Sequence, residues 1–185
     1  MKKIGVFAGS SDLAIPYFQN AVERLANLLA EGKYEIIYGA GKVGLMGVLS
    51  QQVYEQGGVL IGVVPHHLNR PELVFNHCTE LIITKDLHER KETMENLSDA
   101  FIVLPGGIGT LDEFFNVLAS KQLKYHKKPI YLLNTDNFFG FISNMMDIMY
   151  KHKFIGEEHL QLYKCVDTPE ELVEDLEANF SKITS

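Results

Sequence analysis

Short apolar runs that do not alternate with polar residues recur along this chain, each separated from the next by a stretch of helical periodicity. A strand covered by helices on both faces reads as a continuous apolar run, whereas a half-exposed strand alternates. The run FIVLP at 101–105 is of the first kind. On this basis strands are predicted at Lys3–Ala8, Glu35–Tyr38, Val59–Val64, Glu80–Thr84, Ala100–Leu104 and Pro129–Leu133, with a short one at Lys164–Val166. Helices are predicted from about Pro16, where Phe18, Val22, Leu25 and Leu29 recur at helical spacing, and at Leu45–Tyr54, Leu87–Leu97, Leu111–Tyr125, Phe139–Tyr150 and Pro169–Phe180. Strand and helix in strict alternation make a parallel sheet between helices, an α/β fold. No repeat, low-complexity tract or linker interrupts the 185 residues, so residues 1–185 are expected to form a single domain.

In an open parallel sheet, ligands bind beyond the carboxyl ends of the strands, near the point where strand order reverses. The segments following the predicted strands therefore carry more functional information than the helices. They are Gly9-Ser10-Ser11, Gly39-Ala40-Gly41, Pro65-His66-His67, Lys85 to Lys91, Pro105 to Thr110, and Asn134. Three of the six are built from glycine and small polar residues, more than connection requires. They are expected to converge on one edge.

The segment PGGIGT, Pro105 to Thr110, follows a strand and opens a helix. Glycine permits close approach of the backbone, and a helix N-terminus offers free N–H groups and a positive partial charge. Together these hold a phosphate without a lysine. Gly106, Gly107 and Gly109, with Gly9, Ser10, Ser11, Gly39 and Gly41, are the phosphate-loop candidates. The stretch GAGKVG, Gly39 to Gly44, also matches the GxGxxG of dinucleotide folds. That fingerprint needs an acidic residue about 20 positions on. Here the next strand ends Val63-Val64-Pro65, with no carboxylate, which argues against NAD. No GxxxxGK[ST] occurs, so ATP hydrolysis of the Walker type is not expected either.

Two residues are ambiguous when taken alone. Glu113 stands three after Thr110, the spacing of a capping box, yet it also lies one turn into the predicted phosphate helix. Arg90, beside Lys91, fits an i,i+4 pair with Asp86 on a solvated face. The pair His66-His67 lacks an evident third ligand, so no metal is expected.

Composition limits the partners. A net charge of −7 opposes nucleic-acid binding. It does not oppose a small phosphorylated ligand, because a local nest of amides outweighs the global field. No apolar run of about 20 residues occurs, so no membrane span is expected. The start, MKKIGVFAGSS, leads straight into a turn and does not read as a signal peptide. A cytoplasmic location is expected, with Cys78 and Cys165 buried and reduced.

The run HERKETM, then FIVLPGGIGTLDE, with GVFAGSS and YGAGKVGLMG upstream, resembles the Lonely Guy family of cytokinin riboside 5′-monophosphate phosphoribohydrolases, often labelled lysine decarboxylases. The similarity runs from about Ile4 to Phe154. The resemblance implies a Rossmann-like, doubly wound sheet and a homodimer. It implies hydrolysis of the N-glycosidic bond of a purine nucleoside 5′-monophosphate, with no cofactor. The family's catalytic arginine and glutamate fall on Arg90 and Glu113. Its substrate-binding residues fall on Lys91, on Gly107, Ile108, Gly109, Thr110, Leu111 and Asp112, and on a glutamate upstream that aligns with Glu72. The chain departs from the family pattern at Ala40, Ile108, Ala119 and Ser120, positions that bear on the base rather than on an Arg–Glu pair. Two other readings stay open. One is a carrier of a phosphorylated cofactor such as molybdenum cofactor. The other is a decarboxylase, which needs a pyridoxal phosphate lysine; Lys42 is the one suggestive residue.

Overall fold

The computed structural model describes the backbone of residues 1–184 and the side chains through residue 182. Seven parallel strands form one sheet: β1 (Lys3–Phe7), β2 (Glu35–Tyr38), β3 (Val59–Pro65), β4 (Glu80–Thr84), β5 (Ala100–Val103), β6 (Ile130–Leu133) and β7 (Lys164–Val166). Six α-helices connect or follow them: α1 (Ile15–Glu31), α2 (Gly44–Glu55), α3 (Leu87–Leu97), α4 (Ile108–Gln122), α5 (Gly140–Lys151) and α6 (Pro169–Thr184). The strand order is β4-β3-β2-β1-β5-β6-β7. The chain thus winds outward from β1 to β4, crosses to the far side of β1, and winds outward again. This is the doubly wound, Rossmann-like arrangement, with its reversal between β1 and β5.

The unalternating runs have the burial they imply. Ile36 and Ile37, adjacent on β2, both lie fully buried but in different cores, one on each face of the sheet. One core packs β1, β2 and β5 against α1, α2 and α6; the other packs them against α3, α4 and α5. Edge strand β4 is half-exposed, with Leu81 and Ile83 open to solvent on one face. No helix among the described residues is long and apolar enough to cross a membrane.

In α6, Asp175 accepts from Tyr131 Oη at 2.9 Å and from Lys164 Nζ at 2.8 Å. One expectation is corrected at α4. Helix α4 begins at Ile108, three residues earlier than its apolar stripe suggests, with Gly107 as N-cap. Thr110 therefore lies inside the first turn and cannot cap it, and Glu113 is turned elsewhere. A reciprocal cap forms one helix earlier instead. Asp86 accepts from the Glu89 N–H at 2.9 Å, and Glu89 Oε2 accepts from the Lys85 N–H at 2.6 Å.

Candidate active site

The reversal between β1 and β5 leaves a gap at the carboxyl edge, and the glycines set its width. The Gly9 N–H donates to Pro105 O at 3.1 Å, and a Cβ on Gly9 would lie 3.0 Å from Gly106 Cα. Beyond this seam opens a cavity of about 630 Å³. Its lining includes Gly9, Ser10, Gly39, Gly41, Arg90, Lys91, Gly107, Ile108, Gly109, Thr110, Asp112 and Glu113. The glycine-bearing loops after β1, β2 and β5 therefore meet in one space. Ser11, Gly106 and Leu111 are not part of its lining. Glu72 does not reach it: that residue is exposed on the β3–β4 connection, although Leu73 and Val74 beside it do line the cavity.

The cavity has three parts, ordered along the sheet. At the β5 end, helix α4 points its N-terminus inward. The amides of Ile108, Gly109 and Thr110 have no acceptor within the helix, whose ladder starts when the Leu111 N–H donates to Gly107 O at 3.1 Å. Gly107 and Gly109 would each place a Cβ in open space, and neither has a positive φ. The protein's own packing does not require glycine at these two positions. What their bare backbone leaves is room for a ligand at a positively polarised helix end.

In the middle stand Arg90, from the first turns of α3, and Glu113, from the second turn of α4. Arg90 Nη1 lies 2.6 Å from Glu113 Oε1, and Arg90 Nε donates to Val63 O at 3.0 Å. The proposed surface pair of Arg90 with Asp86 does not form, because the guanidinium is drawn inward. Gly39 makes this possible: a Cβ there would overlap Arg90 Nη2. Glu113 is 8% exposed. Burial pushes its pKa above the ordinary glutamate value, and the Arg90 charge pulls in the opposite direction without cancelling the rise. One residue along each helix, Lys91 Nζ donates to both carboxylate oxygens of Asp112 at 2.9 Å, closing the outer side.

The third part is an apolar wall over β2 and β3, contributed by Val43, Met46, Val64, Pro65, Leu68, Leu73 and Val74. The β3–β4 connection is stitched to the β2 loop to form it. The Lys42 N–H donates to Leu73 O at 3.0 Å, the Phe75 N–H to Ala40 O at 2.9 Å, and Gly41 bridges Val74. Sequence reasoning passes over these residues because it looks for polar groups. The available signal is the run Leu73-Val74-Phe75, with Leu68, in a connection that is polar at most other positions.

The GxGxxG match serves packing rather than a pyrophosphate. At the N-terminus of α2, Gly44 (φ +62) donates its N–H to Asp12 Oδ1 at 2.7 Å, and the Met46 N–H donates to Gly9 O at 3.3 Å. A protein carboxylate occupies the place where a dinucleotide fold seats phosphate. The residues also fit pyridoxal phosphate poorly: Lys42 Nζ donates to Pro71 O in a separate cleft, and Lys91, which does line the cavity, is bound to Asp112. Cys78 and Cys165 are free and half-buried. His66 and His67 are exposed, and no group of three metal-ligating side chains occurs among the described residues.

Fold and site together define a Rossmann-like α/β protein in which a helix N-terminus and a shielded Arg–Glu pair face one cavity. The family model described as "Possible lysine decarboxylase" matches residues 46–176. A cytokinin riboside 5′-monophosphate phosphoribohydrolase of Arabidopsis thaliana is 38% identical, over 96% of this chain and 78% of its own length. A probable cytokinin riboside 5′-monophosphate phosphoribohydrolase of Oryza sativa subsp. japonica is 40% identical, over 96% and 71%. Among solved structures, the molybdenum cofactor carrier protein of Chlamydomonas reinhardtii superposes with a TM-score of 0.74 at 18% identity, over 97% and 98% of the two chains, a likeness of fold. The chain belongs to the Lonely Guy family, whose members carry the lysine decarboxylase label.

Proposed function

We propose that the protein is a nucleoside 5′-monophosphate phosphoribohydrolase, an N-glycosidase releasing a purine base from adenosine 5′-monophosphate or its cytokinin analogues. The observation that carries this reading is the order of parts in the cavity: anion seat, Arg–Glu pair, apolar wall. A nucleotide has the same order of phosphate, ribose and base. The naming of the plant relatives supports it as well.

The chemistry follows from that alignment. The bond between C1′ and the base nitrogen breaks, its electron pair leaving with the base. Water adds its oxygen to C1′; one proton goes to the base and the other remains on the new hydroxyl of ribose 5-phosphate. The transition state is oxocarbenium-like, as in O-glycoside cleavage. Ionised Glu113 stabilises that cation and holds the attacking water. Arg90 keeps Glu113 ionised in a buried position and faces the charge that develops on the leaving base. Phosphate bound at Gly107 to Thr110, assisted by Lys91, fixes the ribose without taking part in bond cleavage, and such remote binding is a source of rate.

A carrier of a phosphorylated cofactor needs the anion seat alone. It gives no reason to shield a carboxylate against an arginine, so the enzyme is the better reading. The protein works in the cytoplasm as a homodimer, in keeping with its family. Incubation with AMP and with isopentenyladenosine 5′-monophosphate tests the reading. Free base is expected from both, and from adenosine at a rate lower by a factor of about 100 or more. Intact nucleotide after exhaustive incubation with every purine monophosphate would overturn it.

A further inference from the structure

Resting on the phosphoribohydrolase reading, we infer that this site does not read the hydrogen-bonding edge of the base, so its substrates include 6-oxopurine as well as 6-aminopurine nucleoside 5′-monophosphates. The cavity's polar side chains, Ser10, Arg90, Lys91, Thr110, Asp112 and Glu113, come from the loops after β1 and β5 and from α3 and α4. The far wall, over β2 and β3, is Met46, Val64, Pro65, Leu68, Leu73 and Val74. None of these offers a side-chain donor, and the one side-chain acceptor among them is the weak thioether of Met46.

Part of the backbone beside the wall is taken up by the protein itself: Val63 O accepts from Arg90 Nε, Ala40 O from the Phe75 N–H, and Leu73 O from the Lys42 N–H. The polar residues of the β3–β4 connection, His66, His67, Asn69, Arg70 and Glu72, are exposed and stand outside the lining. A purine between these walls is held by area and shape. Exchanging an exocyclic amine for a carbonyl breaks no hydrogen bond to protein, and an apolar pocket rejects such an exchange only weakly. By contrast, a site built to bond that group rejects the analogue by 10⁴-fold or more. Discrimination is concentrated at the phosphate, where α4 supplies directed amides.

The test is kcat/KM of the wild-type protein for AMP, IMP and GMP, with adenosine and inosine as phosphate-free controls. The three monophosphates are expected within about 100-fold of one another. A preference for AMP over both 6-oxopurine nucleotides of more than about 100-fold would overturn the inference while leaving the phosphoribohydrolase reading intact. If no monophosphate is hydrolysed, that reading fails, and calorimetric binding of AMP, IMP and GMP to the wild type decides the inference separately. Comparable affinities support it, and selective binding of AMP overturns it. Leu73→Asn and Leu68→Asn add an amide to the wall at partly exposed positions that the fold tolerates. Either is expected to widen the ratio between AMP and IMP by about 10-fold or more, since one good directed contact discriminates on that scale. An unchanged ratio in both would show that the base lies elsewhere.

Discussion

Arg90 and Glu113 meet at 2.6 Å between α3 and α4, with both side chains almost wholly shielded from water. Neither is explained by the helix that carries it: α3 is capped by Asp86, and the first turn of α4 is left uncapped by any side chain. Removing the carboxylate charge alone, by Glu113→Gln, is expected to lower kcat by about 10² to 10⁴, the range for loss of a positioned acid–base group. The phosphate seat is untouched, so KM should change little. Steady-state kinetics with AMP checks both.

The pH dependence has a definite sign. Burial raises the pKa of Glu113 and Arg90 lowers it, with burial the larger effect. If the ionised form is the active one, the acid limb of kcat/KM falls at a pH above the ordinary glutamate range. Arg90→Gln removes the opposing charge and should move the limb of its residual activity to still higher pH. Stability follows the same linkage. A folded pKa raised above the unfolded one gives stabilisation that is present below the unfolded value and lost as pH rises through the folded value. The melting temperature of the wild type, relative to Glu113→Gln, should therefore decline across that window.

Gly39→Ala tests whether the first glycine of GAGKVG acts through Arg90. Its backbone does not need glycine, since its φ is not positive, but a methyl group there would displace Arg90 Nη2. A misplacement of about 1 Å at a reacting group costs on the order of 10²-fold in rate. We expect that loss in kcat, an acid limb shifted upward as in Arg90→Gln, and a nearly unchanged melting temperature. A normal pH profile would detach Gly39 from the site.

Gly109→Ala separates binding from folding. The added Cβ meets nothing within the protein, and alanine is the better helix former by up to about 1 kcal/mol. The variant should be at least as stable as the wild type to thermal melting. Its KM for AMP should nevertheless rise by about 10-fold or more, because the methyl group enters the space above the amides of α4 where phosphate sits.

Much of this architecture is legible in the sequence, and the gaps have physical causes. Runs such as FIVLP announce buried parallel strands because helices cover both faces, and the glycine loops after β1, β2 and β5 do meet. The start of α4 is misjudged because Ile108 and Gly109 carry no apolar stripe: Ile108 is 88% exposed at the mouth. The direction of Arg90 is invisible to spacing, since Asp86 at i−4 is an equally good partner on paper. The bare Gly39, the Val63 carbonyl and the Glu113 carboxylate, all distant in sequence, draw the guanidinium inward. The apolar wall escapes for a similar reason: it depends on how a connection of polar composition folds back onto the β2 loop.

The last glycine of GAGKVG gives the sharpest contrast between packing and ligand binding. Gly44 has φ +62, and a Cβ there would lie 2.5 Å from Ser10 C and 2.6 Å from Ser11 N, backbone atoms that cannot turn aside. A left-handed conformation costs a non-glycine residue about 1–2 kcal/mol, and overpacking adds about 1–3 kcal/mol. Gly44→Ala should therefore lose roughly 2–5 kcal/mol in urea unfolding, a large part of the 5–15 kcal/mol typical of a folded domain. Asp12→Ala removes only the acceptor from the Gly44 N–H and should cost about 1 kcal/mol. If GAGKVG instead held a pyrophosphate, Gly44→Ala would remain fully stable and lose nucleotide affinity. That outcome would move the phosphate seat from α4 to α2.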